Sequence, residues 1–385
     1  MKQNTRLIHT KAGRGQIHTV NPAIERGSTV LLPTREELYG DGKVYGRMGL
    51  TVQRELELAM GELENAKHTR LTSNGLQACA LAVAAIAKSG DHILIADGIY
   101  GPYGRFCQRR LARMGVTTTR FATLASPQDI EALIRPETTA IILESPASLT
   151  FDIMDVPAIA DLARAKGIVT IFDNTYGAGV FHKPLDLGID ISVQALTKYP
   201  VGHADALGGA VMTNSDTFAA QIANCAEDWG ISLAPDDAYL VIRGLRTLQT
   251  RLKQHEASAY TVAEWLAGRD EVASVLHPGR TDHPEHAVWK RDFTGANGLF
   301  GVILNETSND ALDAFLEAMR LFGMGFSWGG YESLLIPCCP QLKRMKTDRI
   351  HNRAGPLLRL HIGLEDPSDL ICDLEQSFET MALSA

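Results

Sequence analysis

A carboxylate and a lysine stand where two neighbouring strands of a sheet are expected to end. The apolar run IVTIFDN, residues 168–174, reaches Asp173 at its end, and the run ISVQA, residues 191–195, is soon followed by Lys198. Open parallel sheets bind ligands beyond the carboxyl ends of their strands, so both side chains lie where a ligand would be held. Such a pair can be a simple ion pair. It can also serve pyridoxal phosphate, whose aldehyde forms a Schiff base with a lysine and whose pyridine nitrogen is kept protonated by a carboxylate.

The second hypothesis requires a phosphate site. The turn SNG, residues 73–75, leads directly into the helical stretch LQACALAV, which would aim the backbone amides of Gly75 and Leu76 at an anion. Taken alone, such a turn is also an ordinary helix cap. Thr197 adds a hydroxyl beside Lys198, at a place where the chain already meets the cofactor.

The cofactor ring also requires a flat side chain above it. Tyr100 follows the apolar run HILIAD, residues 92–97, where an aromatic ring could stack on a pyridine or be an ordinary residue at a strand end. Tyr45 and Arg47 occur in VYGRMG near the start of the chain. A guanidinium binds phosphate well because its planar N–H groups match the phosphate oxygens.

The elements that must position these residues alternate along the chain from about residue 53 to 213. Short apolar runs alternate with amphipathic stretches, which is typical of a mostly parallel sheet covered by helices on both faces. The predicted strands are 92–97, 116–121, 139–145, 168–174, 191–195 and 208–213, and the predicted helices are 53–66, 76–88, 104–115, 127–134 and 156–167.

The chain changes character on either side of this region. The first 50 residues are rich in Gly, Pro, Thr and Arg and predict an extended arm with turns, of the kind that often reaches a neighbouring subunit. An apolar period near 3.6 over 235–268 predicts one long helix that bridges two domains. Strand-like and helical segments then alternate again in a smaller α/β domain, at 271–278, 298–305, 309–322, 325–330, 357–363 and from about 367. The predicted division is 1–52 for the arm, 53–235 for a large cofactor-binding domain, and 236–385 for the bridging helix and C-terminal domain.

Composition excludes several classes of protein. The 385 residues carry 37 Lys and Arg against 45 Asp and Glu, a formal charge of −8, without the basic stripe that a nucleic-acid binder needs. The longest apolar run, 81–87, is far shorter than the roughly 20 residues that span a bilayer, and the first ten residues are polar. A soluble cytoplasmic protein with a small polar partner, and with neither nucleic acid nor membrane as a partner, is therefore expected.

Cysteine and histidine spacing predicts no metal site. Six cysteines in a chain of this size, without a CxxC pair, indicate reduced structural thiols. His277, His283 and His286 cluster in a loop that has no carboxylate or cysteine at ligand spacing, so metal binding is not expected there.

The ordered set of motifs resembles the Cys/Met metabolism family of pyridoxal-phosphate enzymes, the cystathionine lyases and synthases, from about residue 5 to 380. The motifs are YGRMG, SNG, DGIYGPY, FDNTYGAGVFHKPLDLGID, SVQALTKYPVGHADALGG, SWGGYESLL and LLRLHIGLEDP. The resemblance implies an α/β fold of the aspartate aminotransferase type, fold type I, with pyridoxal 5'-phosphate as cofactor.

The resemblance also implies roles for individual residues. Lys198 would form the Schiff base and shuttle protons, Asp173 would pair with the pyridine nitrogen, and Tyr100 would stack on the ring. Phosphate would be bound by Gly75, Leu76 and Thr197 within the subunit and by Tyr45 and Arg47 from a neighbour. Lys198, Tyr100 and Tyr45 would be the catalytic side chains, and the shared site would make the protein a homo-oligomer, in this family typically a tetramer built from two catalytic dimers.

The substrate side of the site would consist of Arg359, Ser327 and Trp328. Arg359 in LLRLHIG matches the arginine that clamps a substrate α-carboxylate, and an arginine within an apolar strand has few structural explanations. Phe326 and Trp328 flank Ser327 where members that act at the γ-carbon commonly have Glu and Leu, so these residues favour β-elimination. The resemblance departs at Ala195, Leu196 and Pro200, where a serine, a small residue and an aliphatic residue are usual.

The expected reaction is α,β-elimination of L-cystathionine, an amino-acid thioether, to homocysteine, pyruvate and ammonia. Three alternatives stay open. They are γ-elimination or γ-replacement as in a cystathionine γ-lyase or an O-acetylhomoserine sulfhydrylase, β-elimination of other cysteine conjugates, and a non-catalytic regulator that binds the cofactor.

Overall fold

The computed structural model describes residues 1–10, 19–40, 42, 44–342 and 353–384. Its strands are β1 His68–Thr72, β2 His92–Ala96, β3 Thr117–Phe121, β4 Thr138–Glu144, β5 Val169–Asp173, β6 Ile191–Ala195, β7 Gly209–Thr213, β8 Val272–Leu276, β9 Leu299–Leu304, β10 Leu334–Pro337 and β11 Leu357–His361. Its helices are α1 Gln3–His9, α2 Arg35–Leu38, α3 Thr51–Glu64, α4 Gly75–Ala84, α5 Gly101–Phe106, α6 Pro127–Glu131, α7 Val156–Lys166, α8 Asp216–Asp228, α9 Pro235–Leu245, α10 Leu248–Ala267, α11 His286–Asp292, α12 Asn309–Ala318, α13 Cys339–Leu342 and α14 Pro367–Leu383. A π-helical turn, Cys107–Leu111, continues α5.

Seven strands form the larger sheet, in the order β1-β7-β6-β5-β4-β2-β3. Only β7 runs against its two neighbours, so the predicted mostly parallel α/β sheet is confirmed. The central strands are buried because helices cover both faces, which explains why their sequences read as continuous apolar runs. Strands β5 and β6 are neighbours, as their sequence pattern predicted.

Four antiparallel strands form the smaller sheet, in the order β10-β11-β9-β8. Helices α10, α12 and α14 share an apolar core with it, in which Phe300, Phe315 and Phe378 are fully buried. Residues 325–330, which were grouped with the strands and helices of this region, instead form a loop before β10, and α12 ends at Ala318 rather than near 322.

The start of the chain is not wholly an extended arm. Residues 3–9 form α1, whose Leu7 is buried. The side chain of Gln3 donates to the backbone oxygen of Leu63, 3.1 Å away on α3. This segment therefore docks on its own subunit rather than forming part of an extended arm.

The long helix predicted over 235–268 is divided into α9 and α10, with a break at Arg246 and Thr247. The Arg251 guanidinium donates to the carbonyl of Gly244 at 2.8 Å, which satisfies a backbone acceptor at the end of α9. Neither Gly nor Pro occurs at the break, so the sequence contained no stop signal.

Within the described residues, no helix is both long and apolar enough to cross a bilayer. The same part of the chain contains no group of three or more His, Cys, Asp or Glu side chains that could hold a metal ion. The ring of His277 packs instead against Tyr260 and Phe300, with ring centroids 4.6 and 5.4 Å away.

Candidate active site

Lys198 lies in the turn that follows β6, where it meets the loop that precedes β10. Its Nζ donates to Ser327 Oγ at 2.7 Å and lies 5.2 Å from the ring centroid of Trp328. Burial and, after it, the positive charge of Arg359 lower the pKa of Lys198 to about 8, against the opposing effect of Asp173. Close to neutral pH the amine can therefore both accept and release a proton.

Asp173 ends β5 and is buried. Its Oδ1 accepts hydrogen bonds from the backbone N and the Oγ1 of Thr175, at 3.0 and 2.5 Å, and its Oδ2 accepts from the Cys79 thiol at 3.6 Å. Burial raises the pKa of Asp173, whereas the Thr175 and Cys79 hydrogen bonds and the Lys198 charge lower it. A buried carboxylate of this kind is suited to a cationic partner such as a protonated pyridine nitrogen.

The N-terminus of α4 lies where the sequence predicts an anion site. Asn74 caps the helix by accepting from the backbone N of Gln77 at 2.9 Å, and the first helical amides, at Gly75 and Leu76, have no acceptor within the helix. A Cβ at position 75 would lie 2.4 Å from the Cβ of Ala195, so glycine is required for this close approach. The serine expected at 195 is thus replaced by a residue that packs against the helix start.

Thr197 completes this edge of the site from the β6 side. Its Oγ1 accepts from the backbone N of Gly208 at 3.3 Å, at the start of the segment that leads into β7. Thr197 also lines a cavity of about 660 Å³, together with Phe326, Ser327 and Trp328. A cavity of about 1000 Å³ between α3, β1 and α8 contains none of these residues, so the smaller one is the cavity beside the chemistry.

Tyr100 immediately precedes α5 and is 42% exposed. Its backbone N donates to Glu144 Oε2 at 2.5 Å, and Glu144 pairs with Asp173 across β4 and β5. Partial burial raises the pKa of Tyr100 most, and Cys79, Asp173 and Glu144 raise it further, which places the phenol in the same electrostatic environment as Asp173.

Arg359 comes from β11 and is only 9% exposed. Its Nη2 donates to the backbone oxygen of Ser327 at 3.3 Å. Burial lowers the pKa of Arg359, and the first opposing influences are Cys338, Tyr100 and Glu144. The smaller sheet thus supplies a cation to the site formed by the larger one.

Tyr45 and Arg47 are not brought to Lys198 within one chain. The Arg47 guanidinium lies 5.9 Å from the ring centroid of Tyr45, and its Nη1 is buried without a hydrogen-bond partner. In the described part of the chain, no hydrogen bond, ion pair or ring contact joins either residue to the surroundings of Lys198. Among the described residues, Arg47 Nη1 therefore has no hydrogen-bond acceptor.

Three residues of the site were not identified from the sequence: Cys79, Glu144 and Thr175. Glu144 ends the apolar run TAIILE, so the rule that located Asp173 also applied to it. Thr175 follows two positions after Asp173 and carried no separate signal. Cys79 lies within an apolar helix, and only the packing of α4 on the sheet brings it to Asp173.

A half-buried lysine and a buried carboxylate at adjacent strand ends, beside a helix N-terminus, place the chain among pyridoxal-phosphate-dependent enzymes. Two features of the site fit this cofactor. Asp173 Oδ2, which accepts from the weak thiol donor of Cys79, can also accept from a protonated pyridine nitrogen. Gly75 lets the start of α4, with its free backbone amides, come close to Ala195 at the end of β6. The chain belongs to the family of Cys/Met metabolism PLP-dependent enzymes, whose model matches residues 4–379.

Relatives in this family match over nearly the full length. The chain is 41% identical to a putative cystathionine beta-lyase of Rhizobium johnstonii, covering 97% of this chain and 95% of the relative. It is 40% identical to cystathionine beta-lyase MetC of Escherichia coli, covering 98% of each. The crystal structure of cystathionine gamma-lyase from Lactobacillus plantarum superposes with a TM-score of 0.91 at 30% identity, covering 99% of this chain and 100% of that one.

Proposed function

We propose that this protein is a carbon–sulfur lyase that converts L-cystathionine and water to homocysteine, pyruvate and ammonia. The observation that carries the proposal is the Lys198 amine, which lies 2.7 Å from Ser327 Oγ and 5.2 Å from the ring centroid of Trp328. The β-lyase names of the relatives from Rhizobium johnstonii and Escherichia coli support it.

Each residue has a defined task in this reaction. Bound pyridoxal phosphate supplies an electron sink for negative charge at the substrate α-carbon. Arg359 binds the α-carboxylate, and Lys198 removes the α-proton and then returns a proton to the departing sulfur. Asp173 keeps its negative charge opposite the pyridine nitrogen. The aminoacrylate released with the thiol hydrolyses to pyruvate and ammonia.

Phe326 and Trp328 favour bond cleavage at the β-carbon over the γ-carbon. They replace an acidic and an aliphatic residue beside Ser327, so a carboxylate that could handle a second proton transfer is missing at position 326. Phe326 is 79% exposed, and together with Trp328 it would cover the thioether chain of a bound substrate.

Product identity tests the proposal. Purified protein incubated with L-cystathionine should release pyruvate, and Lys198→Ala should release none. Lys67→Ala removes an exposed lysine that pairs with Asp216 and should leave the rate unchanged. Release of 2-oxobutyrate instead of pyruvate would assign γ-elimination. Faster pyruvate release from another cysteine conjugate would assign a broader β-lyase, and cofactor binding without turnover would assign a regulator.

We further propose that the protein is a homo-oligomer, a tetramer of two catalytic dimers, in which the arm of 1–52 beyond α1 reaches a neighbouring subunit. Tyr45 and Arg47 would then bind the phosphate of that neighbour's cofactor and assist catalysis there, which gives the unpaired Arg47 Nη1 an anion. The division into a domain of 53–235 and one of 236–385 follows the two sheets. The free cysteines, including exposed Cys372, support a reducing cytoplasmic location.

Mixed oligomers test the shared site. Arg47→Ala and Lys198→Ala should each be nearly inactive alone. Unfolding and refolding them together creates sites with Lys198 from one chain and Arg47 from the other, so activity should return. If Arg47 acts within its own chain, the mixture stays as inactive as its components.

A further inference from the structure

The loop of residues 325–330 presents both Ser327 and Trp328 to Lys198 in an unusual backbone conformation. Ser327 has φ +99° and Gly329 has φ +86°, a range that residues with side chains rarely adopt. A conformation of this kind persists only where the surrounding structure holds it in place. The contacts of this loop therefore determine how Ser327 and Trp328 meet the lysine.

The loop backbone packs directly on the backbone that carries Lys198. A Cβ at Gly329 would lie 2.7 Å from the backbone N of Tyr199 and 2.9 Å from the carbonyl carbon of Lys198. Any displacement of this loop would therefore change the distances from Ser327 and Trp328 to Lys198.

Strand β11 holds the loop at two points. Arg359 donates to the carbonyl of Ser327 at 3.3 Å. His361, two residues further and therefore on the same face of the strand, places its Nε2 3.1 Å from the backbone N of Gly329 and 3.1 Å from the carbonyl oxygen of Gly330.

The imidazole of His361 is confined and uncharged. It is 1% exposed, and burial, together with the neighbouring His255, Arg359 and Lys198, lowers its pKa to about 3, whereas the hydrogen bond to the Gly330 carbonyl opposes this shift. The rings of His255 and Tyr199 lie 5.4 and 5.9 Å from it, centroid to centroid. A neutral ring nitrogen either accepts from Gly329 N–H or donates to Gly330 C=O, so in either tautomer one hydrogen bond holds the backbone of the Gly329–Gly330 pair.

We propose that His361 is a positioning residue for the elimination reaction: its hydrogen bond to Gly329 N–H or Gly330 C=O fixes the loop that presents Ser327 and Trp328 to Lys198. This inference rests on the proposed function. His361 contacts the loop from within the protein, so its loss should lower kcat more than it raises KM. A side-chain amide in its place can still accept from or donate to the peptide and should restore much of the rate.

The test compares His361→Leu with His361→Gln, and with His277→Leu as a matched control. His277 is equally buried and accepts from the backbone N of Gly279 at 3.2 Å, but it does not touch the loop. His361→Leu should lower kcat about 10- to 100-fold with KM within about threefold, and His361→Gln should recover to within about fivefold of wild type. His277→Leu should leave both constants near wild type.

A spectroscopic titration and hydrogen exchange separate positioning from general destabilisation. The pH midpoint of the visible absorbance of the cofactor-bound lysine should shift in His361→Leu and stay in place in His277→Leu. Amide exchange in a peptide covering 325–332 should accelerate about tenfold or more in His361→Leu only. If His361→Leu does not fold, His361→Asn, whose shorter amide cannot reach the peptide, takes its place.

The proposal would be overturned if His361→Leu kept the kcat, the pH midpoint and the loop exchange rate of the wild type. It would also be overturned if His361→Gln had a kcat no higher than that of His361→Leu. Should the wild-type protein release no pyruvate from cystathionine, the proposed function fails. The titration and the exchange experiment still decide the role of His361, because neither depends on turnover.

Discussion

Replacing Arg359 by Met and Asp173 by Asn should move the pKa of the Lys198 amine in opposite directions. The pKa of about 8 results from burial first, then from the positive charge of Arg359, with the negative charge of Asp173 opposing both. Removing Arg359 should therefore raise the pKa, and removing the Asp173 charge should lower it. For partly screened charges at this burial, each shift should be on the order of one pH unit.

The depressed pKa has a measurable consequence for cofactor capture. At pH 7, a lysine with a pKa of about 8 is ~10% neutral, whereas an ordinary lysine is about 0.04% neutral. Only the neutral amine attacks an aldehyde. Cofactor-free protein should thus bind pyridoxal phosphate with a rate constant that rises with pH and levels off above about pH 8.

Stopped-flow absorbance between pH 6.5 and 10 measures this midpoint for the wild type, for each variant and for Lys67→Met, which removes an exposed cation that pairs with Asp216. Titration of the free cofactor is common to all samples, so the differences between variants report on Lys198. A wild-type midpoint near that of a free lysine would refute the reasoning. So would shifts of Arg359→Met and Asp173→Asn in the same direction.

Three further substitutions test the site. Asp173→Asn should lower kcat about 10²- to 10³-fold with cofactor still bound, because a neutral amide cannot hold the pyridine nitrogen protonated. Steady-state kinetics measure kcat and the cofactor absorbance measures binding; a near-normal kcat would contradict the role of Asp173. Arg359→Lys keeps the charge but loses the planar pair of N–H donors, so kcat/KM for cystathionine should fall about 10- to 100-fold, mostly through a higher KM. An unchanged KM would argue against contact between Arg359 and the substrate carboxylate. Gly75→Ala places a Cβ 2.4 Å from the Cβ of Ala195 and should weaken cofactor binding about tenfold or more; equilibrium dialysis measures this, and adding Ala195→Gly should recover part of the loss.

The central strands were predictable because a strand that is buried on both faces has a continuous run of apolar residues in its sequence. Strands β5 and β6 begin and end within one residue of their apolar runs, 168–174 and 191–195. Strand β1, HTRLT, lies at the sheet edge with three half-buried residues, so its polar sequence carried no such mark. The break between α9 and α10 was equally hidden, because an arginine side chain of the following helix, Arg251, satisfies the end of α9.

The sequence identified the charged residues of the site but did not identify the residues that form hydrogen bonds with them. Lys198, Asp173 and Arg359 are charged residues next to or within apolar strands, and this contrast is visible in the sequence. Cys79 is one apolar-context residue among many, and its contact with Asp173 depends on how α4 packs against the sheet.

The sequence by itself determined the parallel sheet, the polar residues at its strand ends and the family, because continuous apolar runs and ordered motifs are local properties of the chain. Tertiary structure alone decided that Ser327 Oγ lies 2.7 Å from Lys198 Nζ and that His361 contacts the backbone N of Gly329 and the backbone O of Gly330. These residues are separated by more than a hundred positions or lie on different strands and loops, and only the packing of the two sheets brings them together. The same packing buries Lys198 beside Arg359, and that burial sets the pKa of the lysine.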